Sequence, residues 1–121
     1  MVFTNGGLNH IAKIFTGETS DITLSYMGVG TGTTTPLVTD TALTTPLGAR
    51  KIKSKAFATS SIATIRFDFA TGDNNGTWAE YIIAWLLTGG DILVHELFSP
   101  TIVKSSSFSE LIDFDLTIAS G

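Results

Sequence analysis

Ile62-Ala63-Thr64-Ile65-Arg66-Phe67-Asp68-Phe69-Ala70 is the stretch on which the fold turns. Ala63, Ile65, Phe67 and Phe69 share one parity, while Thr64, Arg66 and Asp68 share the other. Such alternation is a strand with one buried and one wet face. Downstream, Trp78–Leu87 is apolar on both parities, which places it centrally, covered on two sides. Asp73-Asn74-Asn75-Gly76 lies between the two runs, and Asn-Gly in that setting signals a hairpin. Gly89-Gly90-Asp91 then turns the chain into Ile92–Phe98. Ser99-Pro100 is expected to interrupt, since proline gives a ladder no N–H, leaving Thr101–Lys104 as a short edge piece. A last strand, Phe108–Ile118, sets Phe108, Ile112, Phe114, Leu116 and Ile118 on one face.

Upstream, Lys51–Ala58 reads as one strand, preceded by period-two Ile22, Leu24 and Tyr26. Between them runs a Gly- and Thr-rich stretch, Gly28–Thr35, which reads as a tight turn with close backbone packing. Asp40 or Thr39 can open a single helical turn through Leu43 before Pro46 stops it. Gly30–Pro46 is thus one long loop inside the domain, short of apolar material, whose order is expected to come from a neighbour. Leu8, Ile11, Ala12 and Phe15 fall at i, i+3, i+4 and i+7, which predicts a short amphipathic helix over about 6–16. Thr4 or Asn5 can cap its start, and Gly17 suits a left-handed end. Six or seven short strands from residue 22 onward, one helix and no βαβ spacing predict a mainly β fold. The expected architecture is a single domain over 1–121, an antiparallel β-sandwich, jelly-roll-like, with one N-terminal helix.

The chain has 121 residues, of which 15% are charged, against about 25% in typical soluble domains. Mean hydropathy is +0.31. An apolar, charge-poor surface predicts cover by a partner, and a homo-oligomer, a trimer first, is the expected form. The net charge of −4 argues against nucleic-acid binding, which needs a basic footprint. No cysteine occurs, so thiol nucleophiles, disulfides and cysteine metal sites are excluded. The longest apolar run, Tyr81–Leu87, is far short of the roughly 20 residues of a membrane span. Met1-Val2-Phe3-Thr4-Asn5 shows no basic leader, so an unprocessed soluble protein made in the cytoplasm is expected.

The polar residues with spacing that could carry chemistry read as structural. Gly28-Val29-Gly30-Thr31-Gly32 has Thr at position 33, and Pro36 blocks the helix that a dinucleotide loop requires. His95-Glu96 is half a metal site without a second cluster, and His10 stands alone. Asp113 and Asp115 share a strand face but no nucleophile elbow accompanies them. Asp73-Asn74-Asn75-Gly76 lacks the acidic ligands of a calcium loop. Trp78, Tyr81 and Trp85 are either a sugar-binding platform or core, and core is favoured on a strand apolar on both sides. Catalytic, cofactor and metal residues are therefore none. Lys51, Lys53 and Lys55, beside Arg50, share one face of their strand, either a blunted sheet edge or a docking stripe for an acidic protein. Leu8, Ile11 and Phe15 join these lysines as the candidate protein interface, braced by the Gly28–Pro46 loop.

A longer pattern is more specific. Thr4-Asn5-Gly6-Gly7-Leu8-Asn9-His10-Ile11-Ala12-Lys13 resembles the TNxGLNxIAK opening of a family of small tailed-phage virion proteins of tail-collar or tail-fibre-like type. Met27–Thr35, Thr39-Asp40-Thr41-Ala42-Leu43 and Ala49-Arg50-Lys51 resemble its GTGTT, DTAL and ARK steps. Asn75-Gly76-Thr77-Trp78-Ala79-Glu80 resembles GTWAE, and Ser99-Pro100 with Lys104 resembles SPxxxK. Tyr81-Ile82-Ile83 and His95-Glu96 depart from that pattern. The resemblance implies a non-catalytic structural protein of the virion, binding major capsid or tail proteins on a symmetric lattice and carrying no catalytic residue. Head decoration, a capsid cement, is favoured because the last strand closes the chain without a fibre shaft. The alternatives are a tail-tip, collar or tail-fibre adaptor subunit, or a carbohydrate-binding receptor module.

Overall fold

The structure, a computed structural model, describes residues 1–119. Its elements run β1 (Val2–Phe3), α1 (Asn5–Thr16), β2 (Tyr26–Gly30), β3 (Lys51–Ile52), β4 (Lys55–Thr59), β5 (Ile62–Phe69), β6 (Gly76–Ala84), β7 (Ile92–Lys104) and β8 (Glu110–Thr117). Five strands form one sheet in the order β1-β7-β6-β2-β3, and three form a second in the order β4-β5-β8. All pairings are antiparallel. The chain is a mainly β fold of two antiparallel sheets packed as a sandwich, with one short N-terminal helix.

Alternation in β5 does what its sequence dictates. Ile65, Phe67 and Phe69 are buried, and they pack with Met27, Val29, Trp78, Ile83, Leu93 and Val94 between the sheets. Each such side chain contributes roughly 1.5–3 kcal/mol on burial. The five-stranded sheet is covered on its other face as well, where Ile82, Ala84 and Ile92 meet Leu43 of the long loop. That double cover is why β6 is apolar on both parities.

Helix α1 begins at Thr4, whose hydroxyl accepts the Gly7 N–H at 2.9 Å and donates to the Ile92 carbonyl. It ends at Gly17 in the left-handed region (φ 75°), with N–H groups returned to Ile14 and Lys13 carbonyls. The period is as expected but the buried face is rotated. Gly7 and His10 are buried and Ile11 and Ile14 half-buried, again i, i+3, i+4, i+7, while Leu8 and Phe15 are 52% and 86% exposed. A Cβ on Gly7 would come within 2.5 Å of the Ile92 carbonyl oxygen, so only glycine lets the helix lie this close to β7.

Several segments differ from expectation: β6 ends at Ala84, short of Leu87, and Thr39–Leu43 forms no helical turn. Lys51–Ala58 is not one strand: Lys53 N–H bonds Ser25, just ahead of β2 in one sheet, and the next N–H, of Ser54, bonds Arg66 on β5 in the other. The lysines are thereby divided between β3, the crossover and β4. Asp73–Gly76 is not a hairpin, because β5 and β6 lie in different sheets; the Asn74 amide holds the crossing by donating to the Leu47 and Ala49 carbonyls. Gly28-Val29-Gly30 is central strand, and Ile22–Ser25 precedes it as irregular chain. Lastly, β7 passes through Pro100, which lies where the β6–β7 register shifts between Trp78 and Glu80.

Candidate functional site

The chemistry-bearing side chains gather in a place where sequence offers two hints, Glu80 inside an apolar strand and His95 inside another. Glu80 on β6 and His95 on β7 are 0% and 1% exposed. They project from the outer face of the five-stranded sheet beneath the long loop. His95 Nε2 lies 2.7 Å from Glu80 Oε1, and its Nδ1 lies 2.7 Å from Asp40 Oδ2. The Glu80 carboxylate also accepts the N–H groups of Gly32 (2.8 Å), Thr44 (2.8 Å) and Thr45 (2.9 Å). Gly30 and Gly32 make room for it: a Cβ on Gly30 would sit 2.6 Å from Oε2.

Burial opposes ionisation of Glu80, but three backbone donors and His95 outweigh it and hold the carboxyl below its ordinary range. Asp40 follows the same pattern, with burial offset by the Leu37 N–H and by His95. Both ring nitrogens of His95 lie within hydrogen-bond distance of a carboxylate oxygen, one from the sheet and one from the loop. Both Glu80 oxygens and both His95 ring nitrogens are engaged inside the protein, and among the described residues no hydroxyl bonds to the ring. The arrangement latches the loop to the sheet. This corrects the expectation that a neighbour orders Gly30–Pro46: the order comes from Glu80, helped by Leu47 N–H on Val29 and Asn5 N–H on Val38.

Other candidates are likewise occupied. His10 stacks on Trp85 at 4.0 Å between ring centroids and spans Asp91 Oδ2 (3.0 Å) and the Asp21 carbonyl (2.8 Å). Asp73 accepts from Lys51 Nζ and the Ala70 N–H, which lower its pKa. Asp113 takes Arg66 in a two-point bond at 2.8 and 3.0 Å, and Asp115 accepts from Thr64. Lys104, 2% exposed, donates to Asn75 and to backbone carbonyls. Trp78 and Trp85 are buried and Tyr81 packs on Phe98, so these aromatics form core and no surface platform. Among the described residues, no group of three His, Asp or Glu side chains is placed to hold a metal ion.

The expected interface residues do not form one patch. Lys51 is tied to Asp73, Lys53 sits at the crossover, and Lys55 on β4 lies 5.2 Å over the Phe57 ring. Ile11 alone of the helical trio turns inward, beside an apolar cleft that the sequence reading missed. This cleft, about 460 Å³, opens between α1 and the three-stranded sheet. Ile11, Ile14, Ile22, Leu24 and Trp85 line one side, and Ala56, Phe57, Ala58, Ala63 and Leu116 the other. Its cause is composition: Ala56, Ala58 and Ala63 face inward where larger side chains would close the sandwich. Ile22 and Phe57 remain 63% and 43% exposed at its rim. No protein-family model matches the chain, and no curated protein matches it either.

Proposed function

We propose that this chain is a non-catalytic structural subunit of a tailed-phage virion, a head-decoration protein that works through contact area, repeated on a symmetric lattice. One observation supports the reading most: large apolar side chains stand exposed on α1 and at the rim of the adjoining cleft, with Leu8 52%, Phe15 86% and Ile22 63% exposed, while the polar clusters are engaged within the fold. Exposed apolar side chains beside an open apolar cleft fit a partner site. The sequence pattern from Thr4 to Lys104 supplies the virion context. Several of its residues (Thr4, Gly30, Gly32, Asp40, Glu80 and Lys104) hold caps, close approaches and buried anchors in this fold.

Binding of purified protein to particles depleted of it tests the reading. Phe15→Asp leaves the isolated domain folded, since Phe15 packs on little, and lowers particle occupancy at least tenfold. Wild-type protein that fails to bind depleted particles, or a variant that binds them equally well, contradicts the proposal.

A further inference from the structure

We propose that copies of this chain join head to tail, the free edge of β4 in one copy pairing with the free edge of β8 in the next, so that the three-stranded sheet continues around a closed ring. The order β4-β5-β8 leaves one strand at each side without a neighbour. All five residues of β4 are exposed, including the two alanines that face the sandwich interior. The Ser60-Ser61 turn, with φ of 51° and 66°, sets Thr59 opposite Ile62. In a two-residue turn of this kind the closing pair is hydrogen-bonded, so alternation aims the backbone groups of Ala56 and Ala58 away from β5. The same alternation, carried through β5, aims those of Asp113, Asp115 and Thr117 outward from β8. Protected edges carry charges, prolines or bulges along their length. Beyond Lys55, β4 reads Ala-Phe-Ala-Thr and has no charge or proline.

Charge selects which edges meet. Lys55 stands directly opposite Arg66, a like-charge neighbour that costs stability across a strand pair. Among the described residues no carboxylate is paired with it. Arg66 in turn faces Asp113. Bringing β8 of a second copy against β4 places Asp113 and Asp115 on the free side of Lys55. Pairing β8 with β8 would set aspartates against aspartates, and pairing β4 with β4 would leave Lys55 without an anion. Because β4 and β8 both run antiparallel to β5, they run parallel to each other. Copies related by rotation about an axis along the strands therefore meet as a parallel pair. Continuing the existing rows of the sheet sets Lys55 against Asp113 of the next copy and ends both strands together, at Thr59 and Thr117. Contacts between unlike surfaces close into rings where the rotation between copies closes, and run on as filaments where it does not; the added strand lies beside Ala56 and Ala58, which line the cleft.

The ring gives the lattice subunit its self-contact and rests on that reading only for its purpose. Sedimentation of the full chain across micromolar to sub-millimolar concentrations tests it with two edge-blocking variants. Ala58→Pro and Thr117→Pro each remove an outward N–H that β5 does not use. Each variant should sediment as a monomer with a near wild-type melting temperature, and their mixture should form one-to-one heterodimers through the two intact edges. Lys55→Glu, which leaves the backbone untouched, should weaken association at least tenfold. A monomeric wild type, a Thr117→Pro variant that still self-associates, or a mixture that stays monomeric overturns the ring. A monomer that nevertheless occupies particles overturns the ring alone, whereas a ring that never binds particles overturns the virion reading alone.

Discussion

Glu80→Gln isolates the buried latch, because it keeps the side-chain shape and removes only the charge and one acceptor oxygen. In the native protein Oε1 serves Thr44 N–H and His95, while Oε2 serves Gly32 N–H and Thr45 N–H. A glutamine has one oxygen where the carboxylate serves three backbone N–H groups and the His95 ring, and its NH2 cannot accept from the N–H groups it then faces. Two charge-assisted hydrogen bonds are lost, each worth about 1.5–3 kcal/mol. Loop relaxation recovers part of this, and each buried N–H left without an acceptor costs about 1–3 kcal/mol in general. We therefore expect a loss of about 3–5 kcal/mol, a large share of the 5–15 kcal/mol typical of a domain. At this size that corresponds to a Tm lower by about 10–20 °C. Urea unfolding followed by fluorescence reads the loss, since Trp78 and Trp85 are both buried. Amide exchange at Gly32, Thr44 and Thr45 should accelerate ahead of the β6 amides. A loss below about 1 kcal/mol, with those three amides still protected, would refute the latch.

Acid should act through the same cluster and, separately, through Asp73 beside Lys51: the Glu80, Asp40 and Asp73 pKa values are lowered in the fold, so their stabilisation is full above the unfolded values. It is lost as pH falls from about 4 through the lower folded values; a melting temperature flat from pH 5 to pH 2 would contradict this. Phe15→Ala should change folding by less than about 0.5 kcal/mol, against about 3–5 kcal/mol for Phe67→Ala, both measured by urea unfolding. Thr4→Ala removes the helix cap and should cost about 1–2 kcal/mol, read by the same assay.

Local rules made much of the fold legible. The alternation of β5, the two-sided apolar character of β6, the Gly89-Gly90 turn and the Thr4 and Gly17 caps depend on nearest neighbours, and they hold. The face of α1 did not follow from periodicity, because two apolar sets one residue apart satisfy it. Position then rests on Gly7 meeting Ile92 and on His10 stacking against Trp85, both long-range facts. Gly28 and Gly30 read as a turn by propensity, yet central-strand packing against Ile82 and Glu80 overrides that preference. The latch joins residues 32, 40, 44, 45, 80 and 95, and no local pattern carries that convergence. Its signal was Glu80 and His95 standing polar in strands otherwise apolar, since buried charges are kept only when paired. The cleft left a fainter mark, small alanines at inward positions of β4 and β5.

Reconstruction of purified particles at a resolution that traces strands tests the central claim most directly. The account predicts this sandwich at every symmetry-equivalent position of the capsid surface, with α1 and the cleft against its neighbours and Glu80 buried beneath its loop. Density for the domain at the tail alone would move the subunit from head to tail, and particles without the domain at either place would contradict a structural role in the virion.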